Sequence, residues 1–193
     1  MGADPRELCF RYGANGKPTL ADVPGDIEFN LAHSGSLAVC AMARRCDQLG
    51  VDVERVRPSK DAEGVARKAF SPGEVARLES LPGPARLRAF YEAWTRKEAF
   101  LKALGCGLER PPHSFDVAFG PGEGPRLLRT LGDPNEAERF SLHAVEPELG
   151  YVGAVAIASG TWKLRHLGWH WGEAHRGESA ASWPEPRDGA EAT

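Results

Sequence analysis

The sequence predicts an α+β protein, because its predicted strands fall in two groups on either side of a block of helices. Apolar runs bounded by turn residues predict three early strands, at 27–31, 37–43 and 49–53. Helical periodicity covers most of residues 61–104, and strand patterns resume at residue 114. Strands and helices that segregate along a chain in this way are typical of α+β folds.

Size and composition are those of an ordinary globular protein. The chain has 193 residues, of which 41% are hydrophobic and 26% charged, enough for one domain with a sizeable core. Its formal net charge of −3 argues against a nucleic-acid-binding protein, since such domains are normally basic. The longest apolar run is too short to cross a bilayer, and the first ten residues do not resemble a secretory signal. Four cysteines without CxxC spacing favour reduced thiols, so we expect a cytoplasmic protein.

Local signals predict the remaining elements. Ser71 is the predicted N-cap of a helix that ends near residue 81, with Pro72 at its first position and Glu74 closing a capping box. Gly105 is the predicted C-cap of a long helix over 85–104. The other predictions are a loop at 13–25, a helix at about 61–70, a turn at 120–125, and strands at 114–119, 126–130, 140–146, 151–158 and 162–167.

The long predicted helix carries a carboxylate where a core residue is expected. Glu98 falls on the same apolar stripe as Trp94 and Leu101, four and three residues away. A carboxylate that faces a core is unfavourable unless it is paired, hydrogen-bonded or bound to a metal. The plainer alternative is a surface ion pair between Glu98 and Lys102, worth a few tenths of a kcal/mol.

Two further carboxylates end the third predicted strand. Because side chains alternate along a strand, Asp52 and Glu54 share one face while Val51 and Val53 enter the core. Together with Glu98 they form an oxygen-ligand set that suits Mg²⁺. The ion would also remove a repulsion of roughly 4 kcal/mol per pair at ~4 Å and an effective dielectric near 20. Taken alone, Asp-x-Glu at a strand end is more often a solvated edge.

Four segments, in order, resemble the motifs of the Sfp-type 4′-phosphopantetheinyl transferases. Gly16-Lys17-Pro18 is similar to the G-[KR]-P loop, and residues 29–34 (FNLAHS) are similar to FN-x-SHS. Residues 50–54 (GVDVE) match GxDxE, and residues 94–102 (WTRKEAFLK) match W-[ST]-x-KE-[SA]-x-x-K. The resemblance runs from about residue 16 to residue 158.

The resemblance implies an Mg²⁺-dependent holo-carrier-protein synthase. Such enzymes transfer the phosphopantetheine arm of coenzyme A to a serine of an apo acyl- or peptidyl-carrier protein and release adenosine 3′,5′-bisphosphate. By resemblance, Asp52, Glu54 and Glu98 are the metal ligands. Glu98 is also the implied general base, and Lys102 the implied catalytic cation that assists the leaving phosphate.

The resemblance also implies contacts with coenzyme A, the co-substrate. Lys102 is expected at the pyrophosphate, His33 at the 3′-phosphate and Lys17 near the adenine end, whereas Lys97 either binds phosphate or supports the site. The expected partners are carrier proteins of fatty-acid, polyketide or nonribosomal peptide biosynthesis. We expect a monomer without nucleic-acid or membrane partners.

The implied fold is a pseudo-two-fold arrangement of two α/β lobes, here with a truncated first lobe. We expect the transferase domain at 1–171, with lobes at roughly 1–57 and 58–171, and a disordered tail at 172–193. Fifteen residues precede Gly16, fewer than in the family pattern, so apolar surface is expected to be bare. Ala32 replaces the motif serine and removes one hydrogen-bond donor. These departures keep open a second interpretation, a truncated or non-catalytic homologue that binds coenzyme A or a carrier protein weakly.

Overall fold

The computed structural model describes most of the chain up to residue 168. The described residues are 4–21, 27–59, 61–133, 135–158, 160 and 162–168, so the expected tail at 172–193 lies outside them. Residues 1–161 form one compact unit, and residues from 162 onward belong to a second. The strand predicted at 162–167 is wrong, because these residues join no sheet and have no regular secondary structure. Apolar residues alone do not make a strand when no neighbouring strand accepts their hydrogen bonds.

The described part of the chain mixes strands and helices, which confirms the α+β class. The strands are β1 (Cys9–Tyr12), β2 (Pro18–Ala21), β3 (Ile27–Ser34), β4 (Leu37–Arg44), β5 (Leu49–Arg55), β6 (Phe115–Val117), β7 (Leu127–Thr130), β8 (Phe140–Val145) and β9 (Tyr151–Ala158). The helices are α1 (Ala62–Ala69), α2 (Pro72–Glu79), α3 (Gly83–Leu104) and α4 (Glu136–Arg139).

One prediction inside the first group of elements is wrong. The segment at 13–25 was expected to be a loop, yet β2 lies within it and pairs antiparallel with β1, from Cys9 opposite Ala21 to Tyr12 opposite Pro18. Its Gly- and Pro-rich composition carries no strand signal. The strand forms because β1 supplies a hydrogen-bonding partner, and such tertiary context overrides local propensity.

The strands form one three-stranded sheet and three hairpin-like pairs. β5, β9 and β8 are antiparallel in the order β5–β9–β8, while β1 pairs with β2, β3 with β4, and β6 with β7. β5, which we expected in the first lobe, therefore pairs with a strand that begins at residue 151. One sheet thus crosses the expected lobe boundary near residue 57, and the division into two lobes stays a prediction.

α3 packs across one face of the β5–β9–β8 sheet. Phe100 on α3 is fully buried, and its ring meets those of Phe115 and Phe140 edge-on, with centroids 4.8 and 4.9 Å away. The same core includes alternate residues of β9, namely Val152, Ala154, Ala156 and Ala158. The small alanines let the helix lie close to the sheet.

α2 begins as predicted. The Ser71 hydroxyl accepts from the Glu74 backbone N–H at 3.3 Å, and the Glu74 carboxylate accepts from the Ser71 N–H at 2.9 Å, so the capping box is complete. Glu74 is only 4% exposed. Its second oxygen accepts from the Val117 backbone at 2.9 Å, which joins the start of α2 to β6.

A buried ion pair ties α3 to this cap. Lys97 is 1% exposed, and its ammonium lies 2.8 Å from a carboxylate oxygen of Glu74. It also donates to the backbone carbonyls of Pro112 at 2.9 Å and Phe115 at 2.5 Å. Burial lowers the pKa of Lys97, whereas the charge of Glu74 opposes that shift. The pair fixes α3 relative to α2 and β6, since a buried charge requires its partner.

The outer face of the β3–β4 hairpin exposes apolar side chains among the described residues. Leu31 is 54% and Met42 60% exposed, and the exposed Cys40 lies opposite Leu31 in the strand register. Phe10 of β1, 48% exposed, packs edge-on against Phe29. Among the described helices, none combines the length and apolar character that a membrane crossing requires.

Gly50 lets α3 approach β5 backbone to backbone. A Cβ placed on Gly50 would lie 2.1 Å from the Ala99 carbonyl oxygen and 2.3 Å from the Ala103 nitrogen, both well inside van der Waals contact. Because side chains alternate along a strand, Gly50 shares its face with Asp52 and Glu54. The close approach therefore brings both carboxylates to the helix.

We expect Gly50→Ala to destabilise the protein by about 3 kcal/mol or more, because the added methyl meets backbone atoms that cannot rotate away. Urea unfolding measures the change. Gly64→Ala is the matched control: a Cβ there meets nothing within 4 Å, and alanine in α1 is expected to stabilise by roughly 0.5–1 kcal/mol. Unchanged stability of Gly50→Ala would refute the close approach.

Candidate functional site

Asp52 is a buried carboxylate between β5 and α3. It is 6% exposed, and Lys102 of α3 donates to its Oδ1 at 2.6 Å. Its Oδ2 is buried and has no hydrogen-bond partner among the described residues. Burial raises the pKa of Asp52 from its ordinary 3.8 to about 7; Lys102 opposes this shift, while Glu54 and Glu98 add to it. The site therefore contains a buried carboxylate whose negative charge is only partly compensated by Lys102.

Glu54 lies two residues further along β5 and is half-buried. Its Oε2 accepts from the Ser34 hydroxyl at 2.6 Å. The Ser34 oxygen in turn accepts from the Arg55 backbone N–H at 3.1 Å. Glu54 is thus oriented by β3, the strand that runs beside β5.

Glu98 is half-buried on α3 and makes no hydrogen bond or ion pair with the described residues. Burial raises the pKa of Glu98; Lys102 opposes the shift and Glu54 adds to it. The alternative of a Glu98–Lys102 surface pair is not what forms, since Lys102 bonds Asp52 on the neighbouring strand. The carboxylate that sequence analysis singled out therefore has no partner among the residues that the structure describes.

The apolar stripe assigned to α3 is only partly correct. Trp94 and Glu98 are both half-buried, while Leu101 is buried. The fully buried positions also include Thr95 and Lys97, which polarity excluded from the predicted stripe. α3 is covered on more than one side, so a single stripe does not describe its buried surface.

Across the β5–α3 contact, the charges of Glu54 and Glu98 raise the pKa of Asp52, and the charge of Glu54 raises the pKa of Glu98. As the side chains stand, no group of three or more His, Cys, Asp or Glu in the described residues is arranged to hold a metal ion. The Lys102 ammonium occupies one oxygen of Asp52 instead. The donor set nevertheless fits a hard divalent cation, because it offers carboxylate oxygens, one of them buried and without a partner.

Lys17 caps the end of α3. Its ammonium donates to the Ala103 carbonyl at 3.1 Å and lies 3.7 Å from Glu28, while the Asn15 side chain donates to the Gly105 carbonyl at 3.1 Å. A cation at this place satisfies helix carbonyls and complements the helix dipole. The loop predicted to meet coenzyme A therefore also supports the helix that carries Glu98. Its contact with the adenine end stays a prediction.

The other two predicted ligand contacts differ in accessibility. His33 is exposed on β3, directly before Ser34, so its ring is open to a ligand. Lys97 is enclosed by Glu74 and two backbone carbonyls, so it cannot reach a bound phosphate. Of the two roles considered for Lys97, the structure favours support of the site, and we do not assign it to coenzyme A.

Sequence reasoning missed two side chains that join β3 to β5. Asn30 is 6% exposed, and its side-chain oxygen accepts from the Val51 backbone N–H at 2.9 Å. Ser34 makes the second bridge, to Glu54 and Arg55. Both residues stand in the FNLAHS segment, which was the signal available. In that segment the family resemblance implied a ligand contact only for His33, whereas Asn30 and Ser34 hold β3 to β5.

The raised pKa of Asp52 predicts a pH-dependent stability. An acid with a higher pKa in the folded than in the unfolded state binds more protons when folded, so stability falls as the pH rises from about 4 to about 7. In EDTA, the wild type should lose up to roughly 1.4 kcal/mol per pH unit relative to Asp52→Asn. Urea unfolding at several pH values measures this, with exposed Asp47→Asn as the control for loss of one charge. Parallel pH profiles for wild type and Asp52→Asn would contradict the burial of an ionisable Asp52.

Comparison with known proteins finds relatives of this chain in one family. The model of the 4′-phosphopantetheinyl transferase superfamily matches residues 48–157, a span that includes all three carboxylates and Lys102. 4′-phosphopantetheinyl transferase HetI of Nostoc sp. is 36% identical over 173 residues, covering 89% of this chain and 68% of HetI. 4′-phosphopantetheinyl transferase Sfp of Bacillus subtilis is 33% identical over 155 residues, covering 80% of this chain and 65% of Sfp.

Coverage of the relatives is partial. A relative from Synechocystis sp. is 42% identical over 105 residues, which are 54% of this chain and 42% of that protein. The chain thus spans about two thirds of HetI and Sfp and less of the Synechocystis relative. Among solved structures, holo-[acyl-carrier-protein] synthase (AcpS) of Thermotoga maritima aligns with 60% of this chain and 65% of its own, at a TM-score of 0.47 and 20% identity. Because the family model matches more than half of the residues and HetI aligns over most of the sequence, the chain belongs to the 4′-phosphopantetheinyl transferase superfamily.

Proposed function

We propose that this chain transfers the 4′-phosphopantetheine arm of coenzyme A to a serine of an apo acyl- or peptidyl-carrier protein. The observation that carries the proposal is the buried Asp52 Oδ2, which has no hydrogen-bond partner among the described residues and lies where α3 crosses β5, inside the span that matches the family. In the reaction, the serine oxygen forms a bond to the phosphorus that carries pantetheine. The bond from that phosphorus to adenosine 3′,5′-bisphosphate breaks.

Asp52, Glu54 and Glu98 are the residues that would hold Mg²⁺, which supplies positive charge at the pyrophosphate when bound. Within the described part of the chain, Asp52 Oδ2 has no hydrogen-bond partner and the Glu98 carboxylate has no ion pair, which supports this assignment. Lys102 is placed to add a second positive charge, since its ammonium already lies at Asp52. Positive groups that face the leaving phosphate stabilise the charge that develops there.

Glu98 is proposed as the general base for the carrier serine. It makes no hydrogen bond or ion pair with the described residues, so a carboxylate oxygen is free to take the proton of the serine hydroxyl. The serine proton passes to Glu98 as the oxygen attacks. Base catalysis of this kind contributes typically about 10²- to 10⁴-fold in rate.

The expected setting completes the proposal. We place the enzyme in the cytoplasm, as a monomer, acting on carrier proteins of fatty-acid, polyketide or nonribosomal peptide biosynthesis. The second candidate is a non-catalytic homologue that binds coenzyme A or a carrier protein weakly. One observation favours this alternative: Ala32 stands in place of the motif serine.

Intact-mass spectrometry of an apo-carrier protein, incubated with coenzyme A, Mg²⁺ and this chain, tests the proposal. We expect the carrier to gain the mass of the phosphopantetheine arm. Glu98→Gln should lower kcat by about 10²- to 10⁴-fold, because the general base is lost. The melting temperature should not fall, because the buried apolar residues of α3 are unchanged.

The control is Glu79→Gln, which removes an exposed carboxylate on α2 and should leave kcat unchanged. Absence of any mass gain, with an established transferase modifying the same carrier, would favour the non-catalytic homologue. Near-normal turnover by Glu98→Gln would remove Glu98 from the mechanism while leaving the transferase activity itself intact.

A further inference from the structure

We infer that Ser34 is a positioning residue for the metal site, acting through Glu54. The inference rests on the proposed function, because it assumes that Glu54 is a ligand of the divalent cation. It concerns a hydroxyl on β3, outside the acidic motif of β5 and outside α3. Ser34 touches neither Asp52 nor Glu98 in the described hydrogen-bond network.

The hydrogen bonds at Ser34 have a defined direction. The Arg55 backbone N–H donates to the Ser34 oxygen at 3.1 Å, so the single hydroxyl proton is left for Glu54. The Ser34 oxygen lies 2.6 Å from Glu54 Oε2, the length typical of a hydroxyl that donates to an ionised carboxylate. Glu54 Oε1 takes no hydrogen bond from the described residues. One oxygen is therefore held by β3, and the other is left for a ligand.

A second bridge fixes the strand that carries Ser34. Asn30 accepts from the Val51 backbone N–H, as Ser34 accepts from that of Arg55. The two acceptors are four residues apart on β3, and the two donors are four residues apart on β5. Two bridges of equal spacing set the register of the strands, so the position of the hydroxyl relative to Glu54 is determined by the backbone.

This arrangement matters because Glu54 is half-buried near the end of β5. A glutamate side chain in that setting populates several rotamers, and holding it in one of them costs conformational entropy. The hydroxyl selects one orientation before a cation arrives. Partners that orient metal ligands in this way typically change metal affinity by about 10- to 100-fold.

The test is the affinity of the full chain for Mn²⁺, measured from the electron paramagnetic resonance signal of the free ion, with thermal unfolding alongside. Ser34→Ala should weaken Mn²⁺ binding about tenfold or more. Ser34→Thr keeps the hydroxyl and should bind within about threefold of the wild type. Ser36→Ala, two residues away in the exposed turn, is the matched control and should leave the affinity unchanged.

A double-mutant cycle separates positioning from a general structural effect. If Ser34 acts through Glu54, Ser34→Ala should cause no further loss of Mn²⁺ affinity in a Glu54→Gln background. A Ser34→Ala variant that binds Mn²⁺ within twofold of the wild type overturns the inference, as does an equal loss in both backgrounds. If Ser34→Ala does not fold, the isosteric Ser34→Thr and Ser34→Val pair replaces it, with the same expected difference.

The outcomes distinguish this inference from the proposed function. A wild type that binds Mn²⁺ through Asp52, with an unaffected Ser34→Ala, removes only the role of Ser34. A wild type whose Mn²⁺ binding does not respond to Asp52→Ala removes the metal site, and with it both the proposed mechanism and the inference.

Discussion

The backbone contact between α3 and β5 is the constraint on which the candidate site depends. Since Gly50 has no side chain, the helix lies directly against the strand, and Asp52 meets Lys102 at 2.6 Å. A larger residue at Gly50 would move Glu98 and Lys102 away from the carboxylates of β5 together. The site is therefore assembled by the proximity of two backbones. Lys97 holds α3 to the start of α2, and Asn30 holds β3 to β5.

Charge is the second organising factor. Burial raises the pKa of Asp52 and of Glu98, so the ionised form of each of these two carboxylates is costly. Lys102 compensates Asp52, and Ser34 donates to Glu54, but Glu98 has no partner among the described residues. The proposed cation would compensate these charges, since like charges that are gathered in a partly buried place destabilise the fold.

Elements with strong local signals could be predicted from the sequence. The capping box at Ser71, the left-handed C-cap at Gly105 (φ 68°) and the apolar run of β9 all formed as expected. β2 and the burial of Lys97 could not be predicted, because each depends on a partner distant in the chain. The three carboxylates were identified by spacing and motif. The role of Ser34 could not be predicted, because its hydrogen-bond partners lie on a neighbouring strand that the sequence alone does not identify.

We propose that carboxylates from β5 and α3 bind one divalent cation. Anomalous diffraction at the manganese edge, from crystals grown with Mn²⁺ and coenzyme A, tests it most directly. The account predicts an anomalous peak bonded to oxygens of Asp52, Glu54 and Glu98, beside the pyrophosphate. A pyrophosphate bound with its manganese held by other residues would contradict the account.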